Sequence, residues 1–171
     1  MNLFSQAKKG IPAAEIALVA QTEGVPADQL LNDVAQGKVT IVKNIKRDIQ
    51  PVGVGKNLKT KINANIGTSP DLFDINTELE KLNTAVKYGA DAIMDLSTGG
   101  DLSYFRREIL RNSPVPLGTV PIYEAAVKLS AQKRPVSDLN IKDFLEIIKN
   151  QAEEGVDFMT IHSGVTLESM K

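Results

Sequence analysis

Polar side chains follow several short apolar runs in the second part of the sequence, and these are the residue types that could do chemistry. They are Asn63, Asn65, Asp95, Ser97, Thr98, Thr119, Thr160 and His162. His162 is the only histidine of the chain, and a neutral imidazole carries both a hydrogen-bond donor and an acceptor. Amides, hydroxyls and an imidazole in such places predict a polar site that hydrogen-bonds a small ligand.

Residue counts exclude several other kinds of chemistry. The chain has no cysteine, which excludes a thiolate nucleophile, a disulfide and a cysteine-ligated cluster within it. A single histidine excludes a two-histidine metal site, and no Ser-His-Asp arrangement is visible. The 20 basic and 21 acidic residues leave a formal charge of −1, so we expect neither nucleic acid nor a membrane surface as partner.

Hydropathy and composition bear on the compartment. No apolar run approaches the ~20 residues needed to cross a bilayer. The first ten residues, MNLFSQAKKG, lack the apolar core of a signal peptide. Together with the absence of cysteine, these features are typical of a cytoplasmic protein, and we expect that localisation.

The elements that position the polar residues alternate between strand and helix from residue 60 onward. Apolar spacing predicts strands in TKINANIG, DAIMDLS, VPLGTV and VDFMTIH, with amphipathic helices between them. This rhythm is typical of βα units with right-handed crossovers, whose strands are parallel. Ligands of parallel α/β proteins bind at the carboxyl ends of the strands, where the polar residues stand.

Two regions are predicted. Residues 1–59 contain two helices, IPAAEIALVAQTEG and PADQLLNDVAQG, then the strand KVTIV and the connector RDIQPVGVGKNLKTK, which extends slightly past residue 59. Residues 60–171 contain the βα repeats. Thr77 and Glu80 can form a capping box at the first helix of these repeats. In the last helix, the residues expected to face inward are Ile141, Leu145, Ile148 and Ala152.

The residues alone leave structural readings open. A lone histidine is often a core or supporting residue with one good hydrogen bond. Met94 within a strand ordinarily fills space, and Tyr123 at a helix start commonly packs on the preceding loop. In STGGD, Gly99 and Gly100 allow an anion nest at a helix N-terminus, although Asp101 as N-cap argues against a second anion nearby.

Four strings at the predicted strand ends carry a family resemblance. INANIGTS, MDLSTGGD, GTVPIYEA and FMTIHSGV, in this order, resemble the phosphomethylpyrimidine synthases of thiamine biosynthesis, the ThiC family, as does KNIKRDIQPVGVGKNLKTK. The resemblance implies the first half of a (β/α)8 TIM-type barrel. It also implies a lyase that converts aminoimidazole ribotide to hydroxymethylpyrimidine phosphate by radical chemistry, with S-adenosylmethionine, an iron–sulfur cluster and a divalent metal.

The resemblance also assigns residues. Family positions that contact the ribotide match Asn65, Met94, Tyr123 and His162. Family members are longer, and their later parts bring a phosphate-binding serine-arginine-glycine segment, metal-binding histidines and the cysteine motif of the cluster. We therefore expect this chain to correspond to an N-terminal portion that carries part of the substrate site and is inactive by itself.

Two function classes remain. The first is this portion of a synthase. The alternative is a non-catalytic half-barrel module that self-associates or binds another phosphorylated metabolite. In either case, the open strand edges of a half-barrel favour a homodimer or other self-association.

Overall fold

The computed structural model describes residues 2–164 and Glu168, and it contains two separate sheets. In the first, β1 and β2 pair antiparallel; in the second, β3 to β6 are parallel and adjacent in chain order. The strands are β1 Val39–Val42, β2 Val52–Gly55, β3 Asn63–Ile66, β4 Ala92–Asp95, β5 Leu117–Thr119 and β6 Phe158–Met159. The predicted parallel order of the last four strands is therefore confirmed.

Seven α-helices accompany these strands in the described part of the chain. They are α1 Leu3–Lys8, α2 Ala14–Glu23, α3 Ala27–Ala35, α4 Ile75–Lys87, α5 Leu102–Asn112, α6 Pro121–Ala131 and α7 Ile141–Glu154. A single 3₁₀ turn at Val136–Asp138 lies between α6 and α7. Within the described residues, no helix is both long and apolar enough to span a bilayer.

The N-terminal helices pack on β1 around their own apolar cluster, which includes Val19, Leu30 and Val39. The segment predicted to be a connector contains a strand that was not predicted, because Val52–Gly55 forms β2. A Cβ on Gly53 would lie 2.5 Å from Val19 Cγ1. The glycines of this strand therefore serve close packing, and their low strand propensity hid it in the sequence.

The helices that follow β3 and β4 cover one face of the parallel sheet. Leu82 of α4 and Ile109 of α5 are fully buried against Ile93 and Leu117 of the strands. The predicted capping box at the start of α4 is wrong, because Asp74 is the N-cap and accepts from the backbone N–H of Thr77 at 2.8 Å. The N-cap of α4 is therefore the Asp74 side chain, three residues before Thr77, where the N-cap had been expected.

The inward face predicted for α7 is also wrong. Ile141 and Leu145 are 66% and 55% exposed, Ala152 is exposed and Ile148 is half-buried. The buried residues of α7 are Ile147 and Gln151. The helix carries apolar side chains over a wide arc, and its neighbours cover a different part of that arc from the one predicted.

The larger architecture remains partly a prediction. A four-stranded parallel sheet with helices on one face occurs both in barrels and in open α/β folds, so the half-barrel stays a prediction. The division into residues 1–59 and 60–171 also stays a prediction. Two apolar clusters, one within residues 7–58 and one within residues 64–159, are compatible with it. Val165, the last residue of the FMTIHSGV string, lies outside the described residues.

Candidate functional site

One row of residues crosses the parallel sheet on the face away from the helices. Asn65 pairs in register with Met94, Met94 with Gly118, and Gly118 with Phe158. Side chains in register on parallel strands project to the same side. Asn65 is exposed and Met94 half-buried. The structure thus brings these two predicted site residues together on an open face.

Phe158 belongs to this row but was not among the residues predicted for the site. A Cβ on Gly118 would lie 2.4 Å from both Cε2 and Cζ of the Phe158 ring, so the ring lies directly over Gly118. A glycine inside a strand marks a close approach by another group. That glycine, followed by an aromatic residue in the next strand, was the signal available in the sequence.

Tyr123 and His162 lie beyond the carboxyl ends of the adjacent strands β5 and β6. Tyr123 stands in the first turn of α6, whose first residue is Pro121. The two rings are stacked, with centroids 6.5 Å apart and planes 28° from parallel. Tyr123 is 37% exposed and His162 is exposed, so both rings are accessible. The structure therefore forms a second pair from the predicted site residues.

The amide of Asn65 is oriented by its neighbour on the same face of β3. Asn63 Nδ2 donates to Asn65 Oδ1 at 3.0 Å. This contact leaves the Asn65 amide nitrogen as a donor for a ligand above the sheet. Contact of all four residues with the ribotide stays a prediction.

Gly99 and Gly100 both have reasons in packing. A Cβ on Gly99 would meet the carbonyl oxygen of Ser69 at 2.0 Å, and Gly100 has φ +75° beside the Phe105 ring. The Gly99 N–H donates to Thr68 Oγ1 at 3.4 Å. Asp101 is the N-cap of α5, as predicted. The anion nest stays a prediction, and these contacts account for the glycines without it.

Buried polar groups hold the loops beneath the site. Asp95, on the helix-covered face of β4, accepts from Ser97 through the backbone N–H at 3.0 Å and the hydroxyl at 2.5 Å. The Ser97 hydroxyl in turn accepts from the N–H of Thr68 at 3.0 Å. Burial raises the pKa of Asp95, and the hydrogen bonds from Ser97 offset that rise only in part. These hydrogen bonds therefore join the loops after β3 and β4 at the carboxyl end of the sheet, where the candidate site lies.

Comparison with known proteins identifies the same family as the sequence strings described above. The model of the Radical SAM ThiC family matches residues 2–171. A phosphomethylpyrimidine synthase from Thermodesulfovibrio yellowstonii is 53% identical over 166 residues, which cover 97% of this chain and 39% of that protein. Others from Methanococcus maripaludis and Methanocaldococcus jannaschii are each 48% identical, over 99% and 100% of this chain and 40% of theirs. The chain thus spans about 40% of the length of these curated relatives.

Proposed function

Because the chain belongs to the Radical SAM ThiC family, we propose that it carries part of the substrate site of a phosphomethylpyrimidine synthase. In this proposal the substrate is aminoimidazole ribotide and the product is hydroxymethylpyrimidine phosphate. The observation that supports the proposal is that the predicted site residues form two pairs, Asn65 with Met94 on neighbouring strands and Tyr123 with His162 beyond the ends of β5 and β6. In this proposal one ribotide contacts both pairs.

The chemistry of these side chains suits a planar, polar heterocycle. The Met94 thioether and the Phe158 ring offer apolar surface to the faces of an imidazole. The Asn65 amide offers a donor to its edge or its ribose, and Tyr123 and His162 offer further polar groups at the strand ends. The part of the reaction assigned to this chain is therefore to bind and orient the ribotide.

The cofactors of the family do not fit the donors of this chain. The family name indicates S-adenosylmethionine and an iron–sulfur cluster, but the sequence contains no cysteine to ligate a cluster. Among the described residues, no three carboxylate or imidazole side chains lie close enough to hold a divalent metal. We therefore expect the chain alone to produce no 5′-deoxyadenosine from S-adenosylmethionine under reducing conditions.

A second candidate function is a non-catalytic module that self-associates, as a homodimer or a larger assembly, or that binds another phosphorylated metabolite. The observation that favours self-association is the exposed apolar stripe of α7, with Ile141 and Leu145 more than half exposed. Within the described residues, β3 and β6 also have one unpaired edge each. Unpaired strand edges and apolar faces of this kind promote association between copies.

The single histidine makes the substrate proposal directly testable. The Hε1 proton of His162 gives one resolved NMR signal, which can be followed while aminoimidazole ribotide is titrated into the chain. We expect a saturable shift that ribose 5-phosphate does not reproduce, because the heterocycle supplies the contacts to the rings. Tyr123→Phe should weaken the binding, whereas Tyr88→Phe, at an 81% exposed tyrosine that caps α4, should not.

Substitution of His162 itself tests whether this residue binds the ligand. Loss of one well-placed hydrogen bond costs on the order of 1 kcal/mol, so His162→Ala should weaken ribotide binding by about fivefold, as measured by calorimetry. His162→Gln, which keeps a donor and an acceptor, should retain part of the affinity. Binding by the alanine variant equal to that of the parent, at unchanged stability, would make His162 a structural residue. An equal response to ribose 5-phosphate would favour the alternative metabolite.

A further inference from the structure

A chain of buried polar contacts joins three helices and a strand behind the candidate site. Thr119 Oγ1 of β5 donates to Gln151 Oε1 at 2.6 Å, and Gln151 Nε2 donates to Glu124 Oε2 at 2.7 Å. Arg106 of α5 donates to the same Glu124 oxygen at 2.9 Å. All four residues are at least nine-tenths buried. Such networks hold a unique arrangement only when every member is satisfied.

The charges in this network are paired. Arg106 contacts Glu154 as well as Glu124, and Lys128 contacts Glu124 at 2.7 Å. Burial by itself would raise the pKa of Glu124, but hydrogen bonds from Lys128 and Gln151 and the charge of Arg106 lower it below its usual value. Glu124 is therefore an anion at neutral pH, and Gln151 has to present its amide NH₂ to it.

The network holds the chain on both sides of Tyr123. Thr119 ends β5 and Glu124 follows Tyr123 directly, so Gln151 hydrogen-bonds the residues that flank the turn into α6. The N-cap residue Val120 makes no side-chain capping hydrogen bond to this turn. The hydrogen bonds that Gln151 makes from α7 therefore contribute to the position of the Tyr123 ring.

Gln151 is also connected to the other ring of the pair. It lies near the end of α7, which leads through Val156 and Asp157 into β6 and then to His162. A single amide therefore contacts the segment that carries Tyr123 and stands on the helix that precedes the strand of His162. We propose that Gln151, acting through Glu124, is a positioning residue that sets the spacing between Tyr123 and His162. Its relevance to ribotide binding rests on the function proposed above.

The test separates the position of the rings from stability and from ligand binding. In the free chain, we expect the Hε1 signal of His162 to carry a ring-current shift from the neighbouring Tyr123 ring, and Tyr123→Leu measures the size of that shift. We expect Gln151→Glu, which places an acceptor against the Glu124 carboxylate, to remove most of that shift and the nuclear Overhauser contact between the rings. Lys149→Met, at a 73% exposed lysine of the same helix, should leave both unchanged.

Exchanging the donor and the acceptor between positions 124 and 151 tests whether their hydrogen bond sets the ring spacing. The double variant Glu124→Gln with Gln151→Glu restores one donor and one acceptor between the two positions, so it should recover much of the shift that Gln151→Glu loses. Thr119→Val removes only the hydroxyl that donates to Gln151, and it replaces Gln151→Glu as the test variant if Gln151→Glu does not fold. In the ribotide titration, Gln151→Glu should weaken binding about fivefold to tenfold, the effect of one misplaced hydrogen bond.

The outcomes that overturn the proposal are specific. If Gln151→Glu and Thr119→Val both fold and both keep the parent's His162 shift and ring contact, Gln151 does not position the pair. If urea unfolding shows a loss of stability without any change at His162, the network is only part of the core. Absence of ribotide binding in the parent chain would contradict the proposed function but would leave the measurement in the free chain valid.

Discussion

Arg47 forms a buried ion pair with Asp157 and thereby fastens the N-terminal segment to the parallel sheet. The two side chains are only 8% and 0% exposed. The Asp157 carboxylate also accepts from the backbone N–H groups of Asn44 at 2.7 Å and Leu117 at 2.8 Å. The guanidinium donates further to the carbonyl oxygens of Leu110, Ser113 and Val115. The contact lies at the amino ends of β5 and β6, opposite the candidate site.

Arg47→Ala should destabilise the chain strongly, because it leaves the buried carboxylate of Asp157 without its cation and removes one donor from each of three carbonyl groups. Removal of one member of a buried ion pair costs about 3–5 kcal/mol, measurable by urea unfolding. Arg111→Ala is the matched control, since Arg111 is 68% exposed and forms an ion pair with Glu108 one turn earlier. Its cost should be about 0–1 kcal/mol. Equal destabilisation by the two variants would contradict the buried role of Arg47.

Asp95 should make stability depend on pH in a defined direction. Burial raises the pKa of Asp95 in the folded protein, so its contribution to the free energy of unfolding is fully present below the unfolded pKa of about 3.9. That contribution is lost as the pH rises through the higher folded pKa. Asp95→Asn cannot ionise and keeps an oxygen that accepts from Ser97. We therefore expect its free energy of unfolding, relative to the parent, to increase from pH 4 to pH 8.

The same pH series needs a control for charge removal in general. Asp71→Asn removes a carboxylate from an exposed loop position and shows how much of any change comes from charge removal alone. Chemical denaturation at each pH gives both differences. If the difference between Asp95→Asn and the parent does not change with pH, burial does not raise the pKa of the Asp95 carboxyl.

Gly118→Ala should disturb the site through Phe158. A methyl group at this position would lie 2.4 Å from the aromatic ring, so the ring has to move or the strands have to separate. Overpacking of this kind costs about 1–3 kcal/mol, and thermal unfolding should show it. Gly164→Ala is the control, because among the described residues, its chain neighbours aside, no atom lies within 4 Å of a Cβ placed there.

The cause of that effect can be checked in a double variant. Adding Phe158→Leu to Gly118→Ala removes the clashing ring, so the two substitutions should be less destabilising together than the sum of their separate effects. Strict additivity would mean that Gly118 is required for a reason other than the Phe158 ring.

The exposed stripe of α7 should drive association between copies of this chain. Ile141→Glu and Leu145→Glu each place a charge on an apolar surface that is more than half exposed. We expect both variants to reduce concentration-dependent self-association in sedimentation velocity, with little effect on unfolding. Lys149→Glu, on the same helix, is the control for added negative charge. Association unchanged by either variant would place the contact elsewhere, for instance at the open edges of β3 and β6.

Local patterns in the sequence determined the elements and their order. Apolar spacing located most of the helices, and the glycines that follow α2 and α7, Gly24 and Gly155, adopt the left-handed conformation that ends a helix. The alternation of strand and helix predicted a parallel sheet in chain order, and the polar strand ends predicted a common edge. These features could be inferred because each depends on residues close together in the chain.

Only the tertiary structure decided which surfaces meet. The sequence showed that α7 is amphipathic, yet its neighbours cover Ile147 and Gln151 and leave Ile141 exposed. Glu124 and Gln151 are 27 residues apart, and their contact follows no local pattern. α7 packs against α6, and burial at that contact requires polar groups such as Gln151 and Glu124 to find a partner. The sequence therefore predicted the end of the sheet at which the candidate site lies. Packing between distant segments decided which contacts hold the site residues in place.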